Sequence, residues 1–209
     1  MLASLLAFTV AAALLTMAPG LDTALVLRTA AVEGPRRAYA AALGIGAGCF
    51  VWGMLAVAGL GVVLLASELA YRALQMAGAL YLGWLGLKLI FGPRAAADAA
   101  ASSAAPRGGS AWAWFGRGLM TNLLNPKAGL FYVTFMPQFI PADANVFLFG
   151  AALVLIHDVE GILWFTLLIA ATRPLAAWLR RPAVTLWLDR ATGGLFLAFG
   201  AKLALDQRA

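Results

Sequence analysis

Charged residues are scarce in this chain. They make up 11% of its 209 residues, whereas hydrophobic residues make up 63% and the mean hydropathy is +0.89. A soluble domain carries roughly 25% charged residues. So few charges cannot cover a water-exposed surface, which excludes a soluble globular protein. The composition therefore predicts an all-α integral membrane protein with the lipid bilayer as its solvent.

Cysteine and histidine are nearly absent, with one residue of each, Cys49 and His157. A single cysteine excludes an intramolecular disulfide and a Cys-x-x-Cys redox centre. The shortage of His, Cys and clustered carboxylates also argues against a resident metal or cofactor. The motifs His-Glu-x-x-His and Gly-x-Ser-x-Gly are missing, so the sequence has neither a zinc-protease nor a serine-hydrolase signature. We therefore predict that the protein is not an enzyme and holds no metal or cofactor.

Long apolar stretches predict six membrane-spanning helices, because a span needs about 20 mostly apolar residues. The predicted spans cover residues 2–28, 38–66, 70–91, 111–139, 145–171 and 184–205. Residues 92–110 are rich in Ala, Ser, Gly and Pro, which favours a flexible linker. The sequence thus divides into a three-helix unit, residues 1–91, a cytoplasmic linker, residues 92–110, and a second three-helix unit, residues 111–209.

The basic residues are distributed unevenly between the two sides of the membrane. The formal net charge is +6, and eleven of the 15 Lys and Arg residues flank loops 1, 3 and 5. Basic residues favour the cytoplasmic side of a membrane. We therefore predict that both termini are periplasmic, and that the positive charge orients the protein in the membrane and does not bind nucleic acid.

The two halves resemble each other in sequence. The third span contains GALYLGW and the sixth contains GGLFLAF, and each half carries a proline in its first span, Pro19 or Pro126. Each half has an odd number of spans, so the second half must be inverted relative to the first. Inverted repeats place a substrate site near the bilayer midplane. Rocking of one half against the other then exposes that site to each side of the membrane in turn.

Both prolines interrupt long apolar stretches. Proline removes a helix hydrogen bond and clashes with the preceding turn. At membrane depth, such loosened backbone survives only where protein buries it or water reaches it. The two breaks therefore predict a substrate site, formed by Pro19, Gly20, Asp22, Asn122, Asn125, Pro126 and Lys127.

Each polar residue at the breaks has two interpretations. Asp22 either binds an ammonium group or a proton, or caps a helix that restarts after Pro-Gly. Asn122 and Asn125 lie i, i+3 on one face and can contact a zwitterion or the freed backbone. Lys127 either holds a substrate carboxylate or forms a structural ion pair.

The fifth span carries three ionisable residues, His157, Asp158 and Glu160. Charge at membrane depth is costly, so these residues are functional candidates. His157 and Glu160 share a face, whereas Asp158 is turned about 100° away. We predict a proton-coupling role for all three; the alternative is a hydrogen-bonded pair that locks the span to its neighbours. Three acids against one base within the membrane favour cations and protons over anions.

Two segments carry a family resemblance, APGLDTALVLRTAAVEGPRRAYAAALGIGAG and RGLMTNLLNPKAGLFYVTFMPQFI. They resemble the LysE/RhtB family of small amino-acid exporters, and the resemblance covers nearly the whole chain. It implies a six-span bacterial inner-membrane protein that exports amino acids or close derivatives against proton entry. The family's Pro-Gly-Pro motif is Pro19-Gly20-Leu21 here, which makes the first break less rigid.

These observations together predict an exporter of zwitterionic or cationic amino acids or close derivatives. Its partners would be the substrate, protons and the lipid bilayer. The alternative is a transporter of an inorganic cation or other small solute on the same fold. The glycines of the second span either pack inside the monomer or form a homodimer interface.

Overall fold

The computed structural model describes residues 1–18, 20–66, 108–171 and 181–205, and a few positions between them: 72, 76, 79, 80, 83, 84, 86, 87 and 90–92. Every regular element in these ranges is helical, which confirms the expected all-α class. The predicted third span, 70–91, and the linker, 92–110, fall mostly outside the described residues, as does Pro19.

Seven α-helices are described, and we number them in chain order. They are α1 (Leu2–Met17), α2 (Leu21–Val32), α3 (Pro35–Ala66), α4 (Ala111–Leu123), α5 (Pro126–Leu130), α6 (Val146–Ala170) and α7 (Pro182–Leu205). A π-helical turn, Phe131–Phe135, and a 3-10 turn, Met136–Phe139, continue α5. The predicted second, fifth and sixth spans coincide with α3, α6 and α7 to within a few residues.

Two of these helices are long and apolar enough to cross a membrane alone, over Pro35–Gly59 and Val146–Ala170. The pair α1 and α2 passes the same test as one span that is bent by 54°. The described residues therefore contain up to three candidate spans.

Both predicted spans that contain a proline are interrupted. The first helix ends at Met17 and the next begins at Leu21. In the second half, α4 ends at Leu123, and α5 begins with Pro126 in its first turn. Proline is tolerated there because the N–H that it lacks would have no helical partner.

The buried apolar side chains form two separate clusters. The first joins α1 from Phe8 to Leu15, the segment Phe131–Ile140, the first half of α6, and Ala56 and Val57 of α3. The second joins α2, the start of α3, the second half of α6 and Leu188 of α7. Cys49 packs against both clusters. The middle of α3 and the middle of α6 therefore lie between two apolar layers, at about half the depth of a span.

Glycines bring α3 and α4 into close contact. A Cβ atom at Gly44 would collide with the carbonyl oxygen of Phe115, and one at Gly118 would collide with that of Ala41. One turn further along α3, a Cβ at Gly48 would lie 2.6 Å from Oδ1 of Asn122. These glycines pack within the chain, and they let the Asn122 side chain lie directly against α3.

Candidate functional site

A cavity of about 70 Å³ lies between helices α1 to α6, at the level between the two apolar clusters. One water needs roughly 10–15 Å³ by the same measure, so the cavity has room for several waters or a small zwitterion. Seven of the ten predicted site residues line it: Gly20, Asp22, Asn122, Asn125, Lys127, His157 and Asp158. The structure thus brings the two helix breaks and the fifth predicted span to one place.

Asp22 joins the two breaks by hydrogen bonds. Its Oδ2 accepts from Nδ2 of Asn122 at 2.9 Å and from Nδ2 of Asn125 at 3.3 Å. Gly20 is the N-cap of α2, so Asp22 lies in the first turn and the N-cap interpretation is wrong. A carboxylate in the first turn is still favoured by the helix dipole.

Two oxygen atoms of this cluster have no hydrogen-bond partner among the described residues. They are Oδ1 of Asp22 and Oδ1 of Asn122, and both are buried. A buried polar atom without a partner is costly, so native proteins rarely leave one unpaired. These atoms therefore mark positions where a bound ligand or water can donate a hydrogen bond.

Lys127 caps the first helix from the second break. Its Nζ donates to the carbonyl oxygens of Leu15 and Ala18, each at 3.2 Å. In an uninterrupted helix the N–H of residue 19 would bond to Leu15, but proline has no N–H. The ammonium group replaces that missing donor, and its charge lies at the negative end of the α1 dipole.

Asn125 caps its own helix. Its Oδ1 accepts from the backbone N–H of Lys127 at 3.0 Å, while its Nδ2 points to Asp22. The same side chain therefore starts α5 and links the second break to the first.

His157 forms another connection between the two breaks. Its Nδ1 lies 2.7 Å from the hydroxyl of Tyr132, and its Nε2 lies 3.1 Å from Oγ1 of Thr16. A neutral imidazole satisfies both contacts, because one ring nitrogen donates while the other accepts. Thr16 precedes the first break, and Tyr132 follows the second.

The two acidic residues of α6 are placed differently. Asp158 lines the cavity, and its buried Oδ1 has no partner among the described residues. Glu160 is absent from the cavity lining, and neither of its carboxylate oxygens has a described hydrogen-bond partner. The predicted pairing along one face placed Glu160 with His157, whereas it is Asp158 that reaches the cavity beside His157. Their proton-coupling roles stay predictions.

Three residues that contact the site were not among the predicted site residues; Thr16 and Cys49 line the cavity, whereas Tyr132 lies behind His157. Thr16 and Tyr132 bind His157, and Cys49 accepts a 3.3 Å hydrogen bond from Nδ2 of Asn122. The sequence did offer a signal for Thr16, because it is a polar residue in the last helical turn before a break. Tyr132 and Cys49 gave no such signal, because each looks like an ordinary core residue in an apolar stretch.

The arrangement offers groups that can bind both ends of a small zwitterion. Asp22 supplies an anionic acceptor, the two asparagines supply amide groups, and Lys127 supplies a cation. Within the residues that the structure describes, no three His, Cys, Asp or Glu side chains are grouped closely enough to hold a metal.

Comparison with known proteins gives one family and several relatives. Residues 13–207 match the family model described as LysE type translocator. The chain is 31% identical to a threonine efflux protein of Salmonella typhi, over 91% of this chain and 92% of that protein. It is 32% identical to a leucine efflux protein of Klebsiella pneumoniae, over 97% and 95%. It is 31% identical to a homoserine/homoserine lactone efflux protein of Salmonella typhimurium, over 97% of both chains.

No solved structure gives a significant match. The family match covers nearly the whole chain, and the relatives align over nearly their full length. The chain therefore belongs to the LysE type translocator family, whose members are transporters.

Proposed function

We propose that this protein exports small amino acids or close derivatives across the bacterial inner membrane, with the cavity between the two helix breaks as the substrate site. The observation that carries the proposal is the cluster of Asp22, Asn122 and Asn125, which joins the two breaks beside a cavity. Unpartnered oxygens of Asp22 and Asn122 would accept from the substrate ammonium group. The efflux activities named for the relatives support the same substrate class.

The proposal includes six spans arranged as two inverted three-helix repeats, residues 1–91 and 111–209. Rocking of one repeat against the other would open the cavity to alternate sides. A contact between the first loop and the linker supports an even number of spans between them, and the basic residues of both loops favour the cytoplasmic side, with both termini periplasmic. The N–H of Gly108 lies 3.2 Å from both carboxylate oxygens of Glu33, so the first loop and the end of the linker lie on one side. A C-terminal reporter that is active only in the cytoplasm should stay inactive.

Efflux measurements test the function. Cells that express the chain are loaded with a panel of dipeptides, and release of each amino acid is followed. We expect faster release of one or a few amino acids, and loss of that gain in Asp22→Asn, which weakens recognition of an ammonium group.

Asp143→Asn is the matched control, because it makes the same chemical change at an exposed loop position. It should export like the wild type. If no amino acid leaves faster although the protein is in the membrane, the proposed function is wrong.

Proton coupling is tested in proteoliposomes with an imposed pH gradient. We propose that protons enter through the Asp158 side of the cavity. Asp158→Asn should therefore abolish the acceleration by the gradient, whereas Glu160→Gln should reduce it less. Equal acceleration in wild type and both variants would contradict the coupling role of α6.

A further inference from the structure

The cavity is polar along one part of its wall and apolar along another. On α3, Cys49 contacts Asn122, whereas Ala42 and Ile45 belong to the second apolar cluster together with Phe165. All five residues line the cavity. The lining of α6 likewise changes from polar, at His157 and Asp158, to apolar, at Phe165. His157 and Phe165 are eight residues apart, or about 12 Å of helix.

Two glycines lie between the polar and the apolar wall. Gly46 is one turn from Cys49 on α3, and Gly161 is one turn from His157 on α6. Both line the cavity, and a Cβ atom added to either would meet no heavy atom of the described residues within 4 Å. They differ in this from Gly44 and Gly48 of the same helix, where a Cβ would collide with α4. Packing against the described helices therefore does not explain the lack of a side chain at these two positions.

A separate observation indicates that this space takes a ligand. Asn122 is fully buried, with 0% of its surface exposed, and it lines the same cavity. Its Oδ1 has no hydrogen-bond partner among the described residues. A polar group so deeply buried and unpaired needs a donor, which a ligand or a water bound in the cavity can supply.

We infer that Gly46 and Gly161 form the side-chain subsite of the cavity and set the size of the amino-acid side chain that it accepts. The inference rests on the proposed export function and adds its specificity determinants. The polar head of the substrate lies at Asp22 and Asn122, and its uncharged side chain extends between the two glycines toward Ile45 and Phe165. A side chain added at either glycine occupies the volume that a larger substrate needs.

The test measures efflux from proteoliposomes that contain the full-length protein and are loaded with alanine, valine, leucine or phenylalanine. The readout is the rate for each larger amino acid divided by the rate for alanine in the same preparation. Gly46→Val and Gly161→Val should lower this ratio about ten-fold or more for the largest amino acid that the wild type exports, since one or two methyl groups in a pocket discriminate by that much. Gly46→Ala should lower the ratio by a smaller factor. If the valine variants do not fold, the ratio is measured in Gly46→Ala instead.

Gly59→Val is the matched control, because Gly59 is on α3, is also open to space, and does not line the cavity. Its ratios should equal those of the wild type. A wild type that exports none of these probes and releases no amino acid of the dipeptide panel would overturn the proposed function. A wild type that exports them, with unchanged ratios in the Gly46 and Gly161 variants, would overturn only the size-selecting role.

Discussion

The two helix breaks are similar in sequence but different in how they are stabilised. Each proline deprives one carbonyl, four residues earlier, of its helical N–H. At the second break the deprived carbonyl is that of Asn122, and the N–H of Asn125 bonds to it locally at 3.0 Å. At the first break it is that of Leu15, whose donor is the side chain of Lys127, 112 residues away.

The helices that restart after the two breaks differ in the same way. Asn125 caps α5 with its own side chain, whereas Gly20 gives α2 no side-chain cap. The second break is therefore complete within its own segment, while the first depends on the opposite half. In the proposed rocking of one half against the other, the contacts of the first break are therefore the ones that would have to change.

Loss of the Lys127 ammonium group should have the largest effect. Lys127→Met keeps the length of the side chain but leaves two buried carbonyls without this donor, at about 1–3 kcal/mol each. We expect a lower melting temperature in detergent and a strongly reduced export rate. Arg36→Met removes a positive charge from an exposed position of α3 and should change neither.

A double variant tests whether Lys127 replaces the N–H that Pro19 lacks. Pro19→Ala allows α1 to extend by one turn and to offer a backbone N–H to Leu15, so Lys127→Met should cost less stability in that background than in the wild type. Additive losses of stability in the Pro19→Ala/Lys127→Met protein would contradict the replacement, since independent sites add.

Removal of the Asn125 side chain should have the next largest effect. Asn125→Ala deletes the cap of α5, which costs about 0.5–2 kcal/mol, and also one of the two contacts to Asp22. Asn145 caps α6 in the same way, through its Oδ1 and the N–H of Leu148, at the exposed end of that helix. Asn145→Ala should lower the melting temperature by a similar amount and leave export unchanged. Equal export in the two variants would show that Asn125 acts only as a cap.

Tyr132→Phe should have a smaller effect. It removes the hydroxyl that bonds to His157, at a net cost of about 1 kcal/mol for one hydrogen bond. His157 then keeps its contact with Thr16 but no longer bonds to Tyr132, so it no longer links the two breaks. The contacts of Asp22 and Lys127 are the links that remain. We expect a modest loss of stability and a measurable loss of export rate. Tyr39→Phe, at an exposed position, is the control and should change neither property. If Tyr132→Phe were as stable and as active as the wild type, the contact through His157 would not contribute to the connection between the breaks.

Gly20→Ser should have the smallest effect, and its sign is opposite. The backbone of Gly20 is extended, with φ of −160°, so any residue fits there, and the nearest contact of an added Cβ is Nζ of Lys127 at 3.8 Å. Serine adds the side-chain cap that α2 lacks and should stabilise the protein by a few tenths of a kcal/mol, since glycine is only slightly worse than serine as a cap. A lower melting temperature would mean that the first break tolerates no side chain at its cap.

Much of the fold follows from local sequence. The bounds of α3 and α6 follow from apolar length, because helical hydrogen bonds form within one segment and a span has a fixed minimum length. The interruptions between Met17 and Leu21 and between Leu123 and Pro126 follow from proline chemistry, which acts on the preceding turn alone. The sequence also identified most of the polar residues that line the cavity, because charge at membrane depth is rare.

The partners of those residues were decided by the tertiary structure. Nothing local indicates that Lys127 caps α1, that Asp22 binds two asparagines, or that His157 lies between Thr16 and Tyr132. These pairs are separated by 25 to 141 residues, and which of them meet depends on how α3, α4 and α6 pack. A break in a helix is fixed by the residue that causes it, whereas the group that satisfies the break is whichever donor the folded chain brings within hydrogen-bond distance.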